Sequence, residues 1–288
     1  MKPGNLKAKI FVDSGDPDET IELMALLGFL DGQTTNPTLI SKNPEAKERL
    51  EKGEKFTEEE ILEFYKNVVT EISSLIPKGS VSVEVYADKD TKADQMFGQG
   101  KEMFSWIPNA HIKFPTTTEG LSAAERAVKE GMRVNMTLCF SQEQAAAVYA
   151  ATKGAKKGDV FVSPFVGRLD DKGENGMDLI KNILEMYKQG DGHVEVLTAS
   201  VRNLNHILYA LYLESDIITA PVNILRGWTE QGMQVSGQDF SYSSDYFKGI
   251  PYEDINLEKG WREFDIHHEL TDSGMQRFSD DWNALLEK

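Results

Sequence analysis

Residues 110–140 read AHIKFPTTTEGLSAAERAVKEGMRVNMTLCF, and this stretch decides the fold. It opens on a short apolar run at 110–115 and closes on a second at 133–140, both of a composition that suits a strand. Between them, Thr116-x-x-Glu119 has the spacing of a capping box and predicts a helix. Strand, helix, strand is the repeating unit of a parallel sheet. The same alternation extends outward in both directions. Further short runs stand at 9–13 (KIFVD), 31–36 (DGQTTN), 81–87 (VSVEVYA), 160–165 (VFVSPF), 194–200 (VEVLTAS) and 217–222 (IITAPV). Helical patterns separate them. Asp16-Pro17-x-Glu19 opens one that runs to Leu30. Thr57-x-x-Glu60 precedes the stripe Ile61, Phe64, Val68 and Ile72. Ser141-x-x-Gln144 starts another, and 173–189 and 202–214 carry the helical period. Eight strands alternating with helices is the count that closes a (β/α)8 TIM barrel, a fold of about 250 residues. The expectation is an α/β chain with one such domain over 1–288. An open doubly wound sheet is the other candidate, but Val12-Asp13-Ser14-Gly15-Asp16 is not the glycine-rich phosphate loop that the nucleotide-binding version needs.

Two stretches exceed the barrel minimum. Residues 37–80 have room for an extra helix or two. Residues 227–262 form an insertion with little helical period, holding Gly227, Trp228, Phe240, Tyr242, Tyr246, Phe247, Pro251, Tyr252 and Trp261. It reads either as a surface excursion packed by its own aromatics or as a subunit contact or cover over one barrel end. A terminal helix over about 272–286 follows.

The chain has 288 residues, 31 basic and 47 acidic, for a net charge of −16. That field repels phosphate backbones and argues against a nucleic-acid partner. It leaves room for a small anionic substrate, which needs only a few local cations. No apolar run approaches the ~18 residues of a membrane span, and the first residues lack a signal-peptide core, so a cytoplasmic location with no membrane partner is expected. Cys139 is the only cysteine, which excludes an internal disulfide and a multi-cysteine metal site. Packing in its apolar strand is the reading for that thiol.

Charge inside a buried strand is the informative departure. Barrel strands are covered on both faces, so a lone charge there needs a partner or a purpose. In 81–87, Glu84 points away from Val81, Val83 and Val85 and shares a face with Ser82 and Tyr86. Lys113 stands between Ile112 and Phe114. Asp13 ends the first strand and Asn36 the second. Asn135 and Thr137 share a face of the fifth, and Ser163, Arg168, Ser200 and Arg202 mark the ends of the sixth and seventh. These ends converge on the active-site face of a barrel. A buried ion pair of Lys113 with Glu84 or Asp13 that only fixes packing is the plain alternative. The chemical reading is that desolvation disfavours the ammonium, so that Lys113 attacks a ketone as a free amine and forms an imine. Glu84 suits the accompanying proton shuttling, and Asp13 suits a base on a substrate hydroxyl when a carbon–carbon bond breaks. The protonated imine is the electron sink, so no metal or cofactor is called for. His111, His193, His206, His267 and His268 show no metal-ligand spacing. The pair His267-His268 reads as solvated or capping. Arg168, Arg202 and Ser200 suit the anionic end of a substrate, near strands seven and eight where barrels often hold phosphate.

These residues resemble a known family, the transaldolases, in the group that includes fructose-6-phosphate aldolase. VDSGD at 12–16, DGQTTNPTLI at 31–40, VSVEV at 81–85 and IKFPTTTEGL at 112–121 carry the likeness. RVNMTLCFSQEQA at 133–145, SPFVGRLDD at 163–171, TASVRN at 198–203 and HELTDSGMQRFSDDW at 268–282 continue it in the family's order. The resemblance implies a class I aldolase barrel with Schiff-base chemistry and no metal or cofactor. It implies that Lys113 forms the imine, that Asp13 is the general base, and that Glu84 and Thr137 hold and activate a catalytic water. It implies that Thr34, Asn36, Asn135 and Ser163 grip a dihydroxyacetone unit, and that Arg168, Ser200 and Arg202 bind phosphate. Sugar phosphates of the pentose phosphate pathway would be the substrates, and a homo-oligomer the assembly. The aldolase branch tends to carry glutamine and tyrosine where this chain has Glu84 and Phe165, which places both positions with the transfer branch. Short members pass quickly from the last strand to the final helix. The insertion at 227–262 departs from that.

Overall fold

Eight parallel strands close into a barrel in sequence order, each flanked by helix. The computed structural model describes residues 2–237, 240, 242, 244 and 246–287. The strands are β1 (Lys9–Asp13), β2 (Gly32–Thr34), β3 (Ser80–Glu84), β4 (Ala110–Pro115), β5 (Val134–Cys139), β6 (Val160–Pro164), β7 (Val194–Thr198) and β8 (Ile217–Ala220), and β8 pairs back to β1. All eight runs read from the sequence are strands: β1 and β4 have the bounds read, β3 starts one residue earlier and ends three sooner, and the others are trimmed by one or two residues at an end. The helices are α1 (Pro17–Leu27), α2 (Pro37–Ser41), α3 (Pro44–Glu51), α4 (Glu58–Leu75), α5 (Ala93–Phe104), α6 (Thr118–Lys129) and α7 (Gln142–Ala151). They continue with α8 (Val166–Asp170), α9 (Gly176–Tyr187), α10 (Leu204–Tyr212), α11 (Val222–Glu230) and α12 (Glu269–Asn283). The two extra helices expected within 37–80 are α2 and α3. The Thr57 box forms as read, with Thr57 and Glu60 capping each other's backbone.

The cap at 116–119 is displaced by one residue. Thr117, not Thr116, caps α6, accepting from the Gly120 amide. The Thr116 hydroxyl is buried and donates to the Thr137 carbonyl, tying β4 to β5. Glu119 instead accepts from the Ala93 amide and so caps the neighbouring α5. Adjacent threonines give two equivalent starts in sequence, and the strand-end hydrogen bond decides between them.

The lumen has two characters. At the N-terminal end, Phe11, His111 and Phe161 fill it, with the imidazole stacked 4.0 Å from the Phe161 ring. Burial pushes His111 down to about 3, so the ring is neutral. A neutral ring has one N–H, and Nε2 donates it to the Gly158 carbonyl while Nδ1 accepts from Ser80. Those rings border a cavity, lined also by Lys9, Asp31 and Arg133. The C-terminal end is polar, and the site lies there.

The 227–262 stretch departs from its reading at one point: α11 continues through Glu230. Trp228 is fully buried and donates its indole N–H to the Gln234 carbonyl. Beyond Glu230, the described residues run back across the outer helices. Tyr242 stacks on Tyr209 of α10 with ring centroids 4.3 Å apart. Lys248 pairs through its backbone with Gly173 and Asn175. Asn182 of α9 donates to the Ile250 and Pro251 carbonyls. Gln142 of α7 meets the Glu253 backbone in both directions. Buried Trp261 donates to Glu125 of α6. The segment is a strap over the outside, partly packed by its own aromatics as one reading held. The C-terminal end of the barrel is covered instead by α12, which packs on α2 and β5. That helix begins three residues earlier than read, because His268 caps it at the Leu270 amide.

Gln144 joins these parts. Its side-chain carbonyl accepts from the Phe140 amide at 2.7 Å, and its Nε2 faces Thr271 Oγ1 at 2.8 Å, the Ile266 carbonyl at 3.0 Å and the Thr116 carbonyl at 3.3 Å. Gln144→Leu keeps the volume and strands these partners in a dry site. It is expected to cost about 2–3 kcal/mol in urea unfolding. Thr57→Ala, an exposed cap, is expected to cost about 1 kcal/mol.

Candidate functional site

Pairing register brings Lys113 beside Glu84 on β3 and Asn135 on β5. Side-chain alternation turns all three into the lumen. Lys113 Nζ lies 2.8 Å from Glu84 Oε2 with both side chains 4% exposed, and it donates to the Thr35 carbonyl at 2.9 Å. The Glu84 contact is an ion pair without hydrogen-bond angles. Among the described residues, Glu84 Oε2 and the buried Thr137 Oγ1 both lack a hydrogen-bond partner. Burial raises the Glu84 carboxyl above its usual range even though Lys113 pulls it down.

The clamp around Lys113 is itself held. Tyr65 of α4 accepts from the Glu84 amide at 2.9 Å, and its hydroxyl is 2.6 Å from Thr35 Oγ1. Thr35 gives its own proton to the Ser82 carbonyl, so Tyr65 donates to Thr35. One buried phenol thus fixes both backbone segments that contact the lysine.

A cavity of about 340 Å3 opens above Lys113. Asp13, Thr34, Asn36, Lys113, Ser163, Phe165, Arg168, Ser200 and Arg202 all line it. Nine of the twelve residues singled out from the sequence therefore meet in one pocket. Glu84, Asn135 and Thr137 are buried behind its wall. Asn135 accepts from Ser163 at 2.6 Å and donates to Ser82 at 3.1 Å, a network that orients Ser163. Asn36 caps α2 with its side-chain oxygen on the Leu39 amide, which leaves its Nδ2 toward the pocket.

Asp13 is half-buried and accepts from Thr34 at 2.6 Å, while Thr34 is 2.7 Å from Thr219. Thr34 has one hydroxyl proton and an ionised Asp13 can only accept. The chain therefore runs from Thr219 through Thr34 to Asp13. Burial pushes the Asp13 carboxyl up, against the pull of Lys113, Thr34 and Lys42.

Cations gather at the opposite wall. Arg168 lies between the Phe165 and Phe278 rings, 5.3 Å from each centroid. Burial lowers its pKa, and the nearby Arg277 and Arg202 add to that. Arg202 pairs with Asp171 at 3.0 Å. Ser200 sits at φ 58°, a left-handed backbone that is rare for a serine and turns the chain there. The reading from sequence missed Lys42, Thr219, Arg277 and Phe278, all on the pocket wall. Thr219 was visible as a polar residue in IITAPV. Arg277 and Phe278 come from α12, whose landing place nothing local encodes. Cys139 is buried, its thiol pushed up to about 12. His267 is exposed beside Asp272 and His268 is the α12 cap, as expected for that pair. Among the described residues no group of three or more His, Cys, Asp or Glu side chains is arranged to hold a metal ion, and no helix is long and apolar enough to cross a membrane.

Residues 10–288 match the family model described as Transaldolase/Fructose-6-phosphate aldolase. A probable transaldolase of Dehalococcoides mccartyi is 35% identical over 277 residues, covering 96% of this chain and 99% of the relative. One of Roseiflexus sp. is 37% identical over 276 residues, covering 96% and 97%. One of Cereibacter sphaeroides is 39% identical over 238 residues, covering 81% and 95%.

A carboxyl whose folded pKa exceeds its unfolded one holds its proton more tightly when folded. Its contribution to stability therefore falls as pH rises between the two values. Asp13→Asn removes that penalty and keeps an acceptor for Thr34. The variant is expected to be roughly 1 kcal/mol more stable than the parent at about pH 8. The gap should close below about pH 3, where the unfolded carboxyl is protonated as well. Urea midpoints across this range read it, and a variant weaker than the parent at the alkaline end contradicts it.

Proposed function

The chain belongs to the transaldolase/fructose-6-phosphate aldolase family, and from that premise we propose that it moves a dihydroxyacetone unit from a ketose phosphate to an aldose phosphate through an imine on Lys113. The buried Lys113–Glu84 pair at the floor of a cation-rimmed pocket carries this reading. Glu84, with its raised carboxyl, takes the ammonium proton and leaves an amine that can attack. Nζ adds to the ketose C2 carbonyl to give a carbinolamine. A water between Glu84 Oε2 and Thr137 Oγ1, two buried oxygens with no hydrogen-bond partner among the described residues, relays the protons that expel hydroxide as water. The product is a protonated imine.

Asp13 then takes the proton from the C4 hydroxyl. Electrons of the C3–C4 bond flow into the iminium, an aldose phosphate leaves, and an enamine remains on Lys113. The aldehyde of the acceptor is attacked by the enamine carbon, and Asp13 returns its proton to the new hydroxyl. Hydrolysis of the second iminium releases the longer ketose and restores the amine. Thr34 and Thr219 keep Asp13 aimed. Asn36 and Ser163 hold the three-carbon unit. Arg168, Ser200 and Arg202, joined by Arg277 and Lys42, hold the phosphate of donor and acceptor in turn. Fructose 6-phosphate and sedoheptulose 7-phosphate as donors, erythrose 4-phosphate and glyceraldehyde 3-phosphate as acceptors, would place the enzyme in the pentose phosphate pathway of the cytoplasm.

Transfer is favoured over release by Phe165. Its ring lies on the pocket wall against Phe140 and Arg168 and offers no hydroxyl to protonate the enamine. The enamine therefore waits for an aldehyde.

Borohydride reduction in the presence of fructose 6-phosphate should leave a reduced three-carbon adduct on Lys113, mapped by mass spectrometry, and none on Lys113→Ala. An adduct-free parent would sink the imine. Fructose 6-phosphate alone should give a single turnover of glyceraldehyde 3-phosphate, and erythrose 4-phosphate should restore continuous turnover. Sustained release of free dihydroxyacetone without an acceptor would make the protein an aldolase of the same family.

A further inference from the structure

Helix α12 meets the site through one face. Gly274, Arg277 and Phe278 stand at i, i+3 and i+4 and so point the same way. Phe278 is one of the two rings around the Arg168 guanidinium, and Arg277 lines the pocket beside it. Gly274 is the gap between them. A Cβ there would overlap Arg168 Nη1 and would come within 2.7 Å of Leu138 Cδ2. Its backbone is ordinary α-helix, not left-handed, so no local conformation asks for glycine. Glycine inside a helix is destabilising relative to alanine. The space it leaves is therefore its use.

The second guanidinium has the same arrangement. Gly167 lies in the short helix α8, again with no left-handed backbone. A Cβ there would overlap Arg202 at Cγ and Nε and the Ser200 carbonyl oxygen. The Gly167 amide donates to that carbonyl at 3.1 Å, so the glycine approaches the Ser200 turn closely. Arg202 is also steadied by Asp171. Arg168 has no carboxylate in ion-pair contact among the described residues, and is held by rings and by the gap at Gly274.

We propose that Gly274 and Gly167 are positioning residues of the anion site: each leaves the space that aims one guanidinium, so that the forks of Arg168 and Arg202 converge on one tetrahedral oxyanion. The identity of that anion as a sugar phosphate rests on the function proposed above. The seating does not. A methyl at either gap moves the fork sideways, and the bidentate geometry that distinguishes arginine from a point charge is lost.

The test uses inorganic phosphate as the probe, with binding measured by calorimetry on the full chain. Gly274→Ala is expected to weaken phosphate binding about tenfold. Arg168→Lys removes Nη1, the atom the methyl would meet, and weakens binding on its own. Adding Gly274→Ala to Arg168→Lys should then change affinity by less than about twofold, a coupling that independent sites do not show. A single variant that fails to fold while the double variant folds would make the same point. Unchanged phosphate affinity in Gly274→Ala, losses that multiply in the double variant, or misfolding of Gly274→Ala both alone and combined with Arg168→Lys would overturn the inference. The last of these would assign the gap to Leu138 packing. Borohydride trapping of dihydroxyacetone by the parent separates the two readings. A parent that binds phosphate but traps no dihydroxyacetone ends the transaldolase reading and leaves the seating intact.

Discussion

Lys113 and Glu84 hold an ammonium and a carboxylate 2.8 Å apart with almost no exposure. Taking two ions out of water costs several kcal/mol each, and their attraction recovers that only where geometry and further hydrogen bonds help. The surroundings supply that help. The Thr35 carbonyl takes one ammonium proton, and Tyr65 pins both Thr35 and the Glu84 amide. The rest of the barrel shields this centre on the other sides. The N-terminal half of the lumen is packed with rings, and the polar half is roofed by α12. Asp13 adds a second carboxyl whose burial works against the fold. Buried carboxyls pushed above their usual range around a buried lysine mark a candidate functional site.

The fold was legible because its signals are local. Strand runs such as VFVSPF and caps such as Thr57-x-x-Glu60 act within a few residues, and eight alternations leave one closed arrangement. The strand-end residues were legible for a related reason. A charge such as Lys113 between Ile112 and Phe114 violates the local pattern, and violations can be read without knowing what lies opposite. Residues that obey the pattern stay hidden. Tyr65 sits on the apolar stripe of α4 and looks like core, although its hydroxyl steadies the lysine clamp. Gln144 looks like a cap partner, yet its amide binds three other segments. Arg277 and Phe278 sit on an amphipathic helix whose docking place depends on a strap of some thirty residues, and no short-range pattern encodes that path. The one-residue error at Thr116 has the same origin: a long-range hydrogen bond chose between two equal local options.

The strap explains how the departure from short family members leaves the strand-end residues alone. It crosses the outer faces of α10, α9, α7 and α6, fixed by Asn182, Gln142 and Glu125. It then delivers α12 to the top of the barrel, where Thr271 donates to the carbonyl of Leu138 and Thr38 hydrogen-bonds Asp281. Among the described residues, the strap reaches the pocket through the helix at its end. That helix contributes a cation, a ring and a gap, and none of these is part of the strand-end chemistry.

The roof is attached differently from everything beneath it. Barrel strands share continuous ladders, so none can leave alone. Helix α12 is joined to the barrel by side-chain packing and a few hydrogen bonds, and the Thr38–Asp281 contact spans 243 positions of sequence. Contacts so distant close a long loop, at an entropic cost that grows only slowly with its length. They also define a separate unit of local opening, since α12 can lift without breaking a single rung of the sheet. The molecule therefore has two levels of nativeness: a closed barrel already holding Lys113 against Glu84, and the same barrel with its anion wall complete. Amide exchange in α12 and in β4 reports on different events. On the function proposed above, imine formation and the holding of a charged sugar come apart along that seam.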